Sequence, residues 1–581
     1  GSLAARCRGT FASNAQGRVY GFKTFRDYFT PRQLVALTTF SDLVADARER
    51  ALADALAAGL AEDGRRLADG GDGAAAYADA TAVYLACAVD KSANLWSSIA
   101  SWMSDRGAMR ETFARQALPM AWDFAEANPF SRAGGNFSGP VERAAHAVAA
   151  VPAAPACVVR QVDAVAAVNG IQRPFISTDP PYYDNIGYAD LSDFFYVWLR
   201  RSLQPIFPDL FRTVLTPKAE ELIATPYRFG GSRAKAREFF ERGLAQAFER
   251  IREAHHPDYP LTVYYAYKQA ESDEDEKDGN GRAQVASTGW ETMLKGLLAA
   301  GFAISGTWPL RTESSGRATA QGANALASSV VLVCRPRSAD APLATRKEFL
   351  VALRRELPAA LKTLQAAYIA PVDLAQAAIG PGMAVFSRYG KIIEPDGGAM
   401  SVRNALALIN EVLAEVVSEE EGDLDAGTRW AIAWFEQHGM KEGLFGDAET
   451  LSKAKNTSVH GLVEAGILHS SGGKVRLLGR EEIAKAWDPM RDSRLTVWEA
   501  TQQLVGRLEK QGEAAAAALA ARLGGGLGEA ARGLAYRLYL LCERKGRAAE
   551  GPGYNSLVVA WPAIEKRAKE IPPAAQAGMF G

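Results

Sequence analysis

Between Cys157 and Cys334 the hydrophobic period switches repeatedly between that of a strand and that of a helix, and this alternation constrains the fold more than any other feature of the chain. Cys157-Val158-Val159-Arg160-Gln161-Val162 and Pro174-Phe175-Ile176-Ser177 read as short strands bounded by turn residues. Helices are predicted over Leu191 to Leu203 and Arg233 to Ala254, followed by a third strand from Leu261 to Tyr267, rich in β-branched and aromatic residues. An acidic loop, Glu271 to Asp278, leads to a helix over Trp290 to Ala300. Two strands close the region, Phe302 to Trp308 and Ser329 to Cys334. Strands separated by helices require a largely parallel sheet, and two successive strands at its end add one antiparallel hairpin edge. The expected fold class is α/β, a partial Rossmann-like sheet between mainly helical N- and C-terminal regions.

A chain of 581 residues exceeds what one hydrophobic core serves, and several domains are expected. Residues 1–150 read as a helical region opened by Thr30-Pro31, with a break at Asp69-Gly70-Gly71-Asp72-Gly73. Residues 151–340 hold the sheet and 341–425 a helical connector. Within 426–485, helices over Thr428 to His438, Asp447 to Lys453 and Ser458 to Ala465 precede a hairpin whose turn is Gly472-Gly473. That order is shared by a DNA-docking winged helix and by a small helical packing domain with a hairpin. Residues 486–581 read as helical, including the alanine-rich stretch Glu513 to Leu523.

Charge and cysteine usage exclude several classes. Lys and Arg total 66 against 67 Asp and Glu, so no global basic field exists, and a polyanion must be held by local patches. The five cysteines are scattered without a C-x-x-C pair or a His at ligand spacing, which points to a reducing cytoplasm and no metal site. No apolar run reaches membrane-spanning length and no signal sequence opens the chain, so no membrane association is expected. Gly1-Ser2-Leu3 lacks an initiating Met and reads as an internal cut or a cloning scar.

The second strand runs into Asp179-Pro180-Pro181-Tyr182, at the carboxyl end of a strand, where α/β sheets bind ligands. Consecutive prolines hold an extended loop that directs the Asp179 carboxylate and the Pro180 carbonyl. Two acceptors beside a ring suit methylation of an exocyclic amine: the acceptors take its hydrogens, its lone pair turns outward, and Tyr182 stacks the base. A base in a duplex must leave the stack to reach such a pocket.

The whole segment from Asp179 to Phe195 resembles the catalytic segment of amino-group DNA methyltransferases. More narrowly, it is similar to the large bacterial adenine-specific DNA methylases that carry a DUF1156 region, many of them near anti-phage defence genes. Phe29-Thr30-Pro31-Arg32-Gln33-Leu34, Trp122 to Phe130, Thr216-Pro217-Lys218-Ala219-Glu220-Glu221-Leu222 and Arg388-Tyr389-Gly390-Lys391 resemble the same family. The resemblance implies a class I methyltransferase sheet, here its second half with the terminal hairpin, and S-adenosylmethionine-dependent transfer to the N6 amino group of a flipped adenine in DNA. It implies catalytic roles for Asp179, Pro180, Pro181 and Tyr182. Phe29, Thr30 and Pro31 resemble a segment lining the methionine end of the cofactor, a helix N-cap being the other reading. Asp163 matches an acidic position near the cofactor adenine, a loop carboxylate being the other. Asp179 also borders the cofactor.

The resemblance also implies a glycine-rich loop of the form Phe-x-Gly-x-Gly, after a first strand and beside the cofactor. Asn128 to Gly135 and Phe229-Gly230-Gly231 are the nearest approximations, and neither follows a strand at the right spacing. A missing N-terminal portion or partner chain carrying that loop is therefore expected, with other defence proteins as further partners. Arg228, Arg233, Lys235 and Arg237, with Arg311 and Arg317 between the last two strands, are candidates for phosphate contact or ordinary solvated cations. Trp308, at a strand end, is expected in the core, a base-stacking residue being the other reading. Two function classes remain: a DNA adenine methyltransferase, or a catalytically incomplete DNA-binding or assembly subunit. N4-cytosine and RNA are alternative targets for the same loop.

Overall fold

The computed structural model describes residues 2–571 apart from 8–16, 114–117, 119–121, 152–156, 182, 184–186, 266–287, 312–327, 368, 370, 420–423, 484–486, 493 and 548. The chain is mixed α/β and mostly helical, and divides into two compact units, Gly1–Asn169 with Pro181–Ala247, and Gly170–Pro180 with Phe248–Gly581.

In the first unit, α1 (Pro31–Ala57) starts at a capping box: the Gln33 amide donates to Thr30 Oγ1 at 3.3 Å and the Thr30 amide to Gln33 Oε1 at 2.9 Å, with Pro31 at the first helical position. α2 (Ala74–Leu95) packs against α1, and its Ala82, Ala86 and Ala93 are buried. At its centre Asp79 has no exposure and is held by Arg48 and Arg66, each at 2.6 Å, the pairing a buried carboxylate requires. A hairpin of β1 (Ser101–Met103) and β2 (Ala108–Arg110) and the helix α3 (Ser138–Ala150) follow. Then α4 (Tyr188–Leu203) buries Phe194, Val197 and Trp198 in one cluster with Tyr28, Phe29, Leu37 and Trp96. α5 (Arg233–Ala254) belongs to this unit as far as Ala247.

The second unit holds β3 (Ser177–Thr178), β4 (Leu261–Tyr265), β5 (Phe302–Arg311) and β6 (Ser328–Pro336), with α6 (Thr288–Ala299) before the hairpin. The order across the sheet is β3-β4-β6-β5, the first pair parallel and the other two antiparallel. β7 (Leu343–Thr345) and β8 (Lys391–Ile393) pair in parallel around α7 (Arg346–Ala366) and α8 (Pro371–Ser387), and α9 (Val402–Glu419) follows. α8 lies on β5, where Gly380 leaves space for the Thr307 side chain.

The last part of this unit consists of α10 (Ala426–His438), β9 (Gly443–Leu444), α11 (Phe445–Ala454), α12 (Val459–Glu464), β10 (Leu468–Ser471), β11 (Lys474–Leu477) and the helices α13 (Val497–Gln511), α14 (Glu513–Arg544) and α15 (Gly551–Glu570). β9 adds to the expected hairpin as a third antiparallel strand, order β10-β11-β9, and Gly472 and Gly473 make its turn at φ 59° and 76°. Asp425 caps two helices at once: its carboxylate accepts from the Thr428 amide at 2.8 Å in α10 and from the Val497 amide at 3.0 Å in α13.

One expected strand is corrected. Residues 157–162 form no strand, and Val158 and Val159 are 78% and 91% exposed. β-branched composition marks a residue that suits a pleated, half-buried surface, but the surface has to exist, and among the described residues no strand pairs with this segment. The strand expected at Pro174 to Ser177 shortens to Ser177–Thr178, with Pro174 and Ile176 carbonyls accepting from His256 and Thr262. Among the described residues, no helix is long and apolar enough to cross a membrane.

Candidate functional site

β3 is short but firmly placed: Ser177 and Thr178 pair with Thr262 and Val263, and the Thr262 hydroxyl donates to Ser177 Oγ at 2.9 Å. The chain leaves it as Asp179, which is exposed, and Pro180, which is buried. A buried Pro beside an exposed carboxylate fixes the direction of the acid through a rigid φ. Pro181 is half-buried, and Tyr182 lies outside the described residues. Tyr183 sits at φ 34°, a conformation costly for a large side chain. Its ring meets Phe240 edge-on at 5.3 Å and its carbonyl accepts from the Ala224 amide at 2.9 Å, two contacts that hold it there.

The helix after this loop begins on a network of charges. Asp190 and Asp193 occupy its first turns and are 1% and 0% exposed. Asp193 Oδ1 accepts from the Thr216 amide at 2.9 Å and its hydroxyl at 2.7 Å, while Oδ2 faces Lys218 Nζ at 2.7 Å. Asp190 Oδ2 accepts from the Tyr227 hydroxyl and from Arg228 at 3.1 Å, and Arg228 also reaches Glu221 at 2.5 Å. Glu221 accepts in turn from the Ala189 amide at 2.8 Å, one of the donors that a helix start leaves unpaired. Burial pushes the Asp190 carboxyl above its ordinary range, against the pull of Arg228 and Lys218. The Thr216-to-Leu222 segment is thus brought onto the start of α4.

Arg228 is therefore corrected as a phosphate contact. Its side chain is 12% exposed and engaged by two carboxylates. A readable signal existed: Asp190 and Asp193 share a helical face with the apolar Phe194 and Val197, and an acid on an apolar face demands a cation. Arg233, Lys235 and Arg237 instead stand exposed in the first turns of α5. Cations there oppose the helix dipole, so an anion docking on them relieves an unfavourable arrangement. The Arg311 side chain and all of Arg317 lie outside the described residues.

The Phe29-Thr30-Pro31 segment is built as the start of a helix. Phe29 is buried, its ring 5.7 Å from Phe194 and 5.3 Å from Trp198, which brings it beside α4. Thr30 Oγ1 accepts from Gln33 and donates to Glu126 Oε1 at 2.6 Å, and Arg32 holds Glu126 at 2.7 Å. Pro31, Val35, Phe40 and Leu43 line an apolar groove of about 650 Å³ with Pro129 and Phe130. Asp163 is exposed and accepts from the Val165 amide at 2.8 Å, closing its own turn. The polar groups of this segment are engaged in helix capping and turns.

The glycines of the Asn128-to-Gly135 stretch are used in packing. Gly134 and Gly135 press against the β1–β2 hairpin: a Cβ on Gly134 would strike Ala108, and one on Gly135, at φ 110°, would strike Met109. Trp308 also departs from expectation, being 66% exposed. Among the described residues no group of His, Cys, Asp or Glu could hold a metal ion.

Residues 425–579 match the family model described as Domain of unknown function (DUF8807). The match begins at Asp425, the residue that caps both α10 and α13, and so covers the body those helices build. The resemblance to DUF1156-carrying adenine methylases is corrected by this result, since the match is to DUF8807 and no methyltransferase family is found. No curated protein and no solved structure matches the chain.

Proposed function

We propose that the chain serves methyl transfer from S-adenosylmethionine to the exocyclic N6 amine of an adenine extruded from DNA. The observation that carries this reading is the placement of Asp179-Pro180 at the carboxyl end of a strand whose sheet continues β4-β6-β5, with β6 reversed between its neighbours. An exposed carboxylate next to a proline carbonyl offers two acceptors in a fixed direction, which is what turns an amine's lone pair away from its ring. Such orientation counts in catalysis because the acceptors are held before the substrate arrives. Arg233, Lys235 and Arg237 are exposed cations within reach of phosphate from solvent. The order α10-β9-α11-α12-β10-β11 fits a winged helix, a module that reads DNA grooves, and supports a share in target recognition for this part.

Methyl transfer is tested with tritiated S-adenosylmethionine, duplex DNA and nucleoside analysis of the product. Label on N6 of adenine, lost in Asp179→Ala with the fold retained, is expected. Undiminished label in Asp179→Ala removes the reading, and label on N4 of cytosine or on RNA redirects it.

The commitment of Phe29, Thr30 and Asp163 to packing, capping and turns favours a second reading, a DNA-binding or assembly subunit without turnover. DNA binding without cofactor binding or label is the result that selects it.

A further inference from the structure

The four strands are in register at the edge where β3 ends. Thr178 pairs with Val263, Val263 with Leu332, and Leu332 with Thr307. One residue further, Tyr264 pairs with Val331 and Val331 with Trp308, and Asp179 follows Thr178 at the same level. Tyr264, Val331 and Trp308 therefore lie in one row across the sheet and on one of its faces, because successive residues of a strand alternate between faces, and Asp179 leaves β3 at the end of that row.

The two faces differ in what covers them. On the first, Val263 and Leu332 are fully buried, the Thr307 hydroxyl reaches the Ala377 carbonyl of α8 at 3.3 Å, and Tyr265 lies against Trp290 of α6 with centroids 5.3 Å apart. On the second, Val331 is 2% exposed and Tyr264 half-buried, but on the edge strand β5 Ser305 is exposed and Trp308 and Leu310 are 66% and 41% exposed. A lone exposed apolar residue needs no explanation, but an indole and an aliphatic chain side by side, at the ligand-binding edge of an α/β sheet, mark a contact surface.

We infer that Trp308, with Leu310 beside it, stacks on a base of the DNA strand flanking the one that Asp179 receives. The inference rests on the amine-binding reading of Asp179. Three strand spacings separate the two residues, about 14 Å, a gap that fits a base swung out of the stack at Asp179 and a flanking base still in the stack at Trp308. Extruding a base leaves its neighbours unstacked, and an aromatic or apolar side chain restores what they lose. The contact is indifferent to sequence, since every base has a π-face. It also explains why a tryptophan stands where a buried residue was expected.

The test compares the full chain with Trp308→Ala and Trp308→Phe, reading anisotropy of a fluorescein-labelled DNA duplex that carries one abasic position, and methyl transfer in parallel. Trp308→Ala is expected to weaken binding about tenfold, the loss of one stacked base, with Trp308→Phe retaining most of it. The dependence of affinity on salt stays unchanged, because no phosphate contact is removed. An exposed side chain leaves the thermal transition in place on truncation, so a folding defect is recognisable. Unchanged DNA affinity in Trp308→Ala means that the pair serves a protein partner and overturns the inference, while label transferred by the unaltered chain still upholds the Asp179 reading. An unaltered chain that neither binds nor labels DNA overturns both.

Discussion

The ammonium of Lys218 lies 2.7 Å from Oδ2 of Asp193, a carboxylate with no exposure, and it neutralises that charge at the start of the helix following the Asp179 loop. Lys218→Met removes the cation from a buried carboxylate that still accepts from the Thr216 amide and hydroxyl. A loss of about 3 kcal/mol in urea unfolding is expected. Asp193→Asn added to Lys218→Met recovers part of it; a double variant no more stable than the single one contradicts the pairing.

Glu499 makes stability depend on pH. Burial, and then its hydrogen bond to Asp492, push its carboxyl up to about 8, while Asp492, despite partial burial, is kept below its ordinary range by the Arg494 amide and the Trp487 indole. Between the ordinary glutamate range and about 8 the folded chain holds a proton that the unfolded chain has released, so stability falls as pH rises through that window, by at most about 1.4 kcal/mol per unit. Below the window both states are protonated and the slope from this group vanishes. Glu499→Gln should flatten the profile of melting temperature against pH; an unaltered slope would show that another group titrates.

Thr30→Ala removes the cap of α1 and the bond to Glu126 together. About 1 kcal/mol is the expected cost in denaturant unfolding, and Thr30→Ser should restore most of it because the oxygen is retained. A loss of methyl transfer in Thr30→Ser without a change in stability would assign the threonine methyl to the site instead.

Gly380 lies where α8 passes over Thr307, and a Cβ there would collide with that side chain. Gly380→Ala is expected to lower the melting point by an amount worth about 1–3 kcal/mol despite alanine's better helix propensity. Thr307→Ala in the same chain opens the space and should reverse most of the loss. Additive effects would place the strain elsewhere.

Much of the fold was legible because it is set by near neighbours. The α5 boundaries at Arg233 and Ala254, the β5–β6 hairpin and the three helices before Gly472-Gly473 follow from apolar period, caps and turn glycines. Residues 157–162 had the same local credentials and failed, because a strand also needs a partner that no local pattern supplies.

The candidate site divides along the same line. The order of residues placed Asp179 and Pro180 at a strand end and made the loop rigid, since proline acts on its own backbone. Sequence alone could not tell Arg228, sealed between Asp190 and Glu221, from Arg233 and Lys235 standing in water, because all belong to one basic stretch. Nor could it show that Trp308 faces outward in the row of Asp179. Period and turn chemistry are properties of adjacent residues, whereas burial, charge pairing and strand order are fixed by contacts between residues far apart in the chain. Only the tertiary structure decides those.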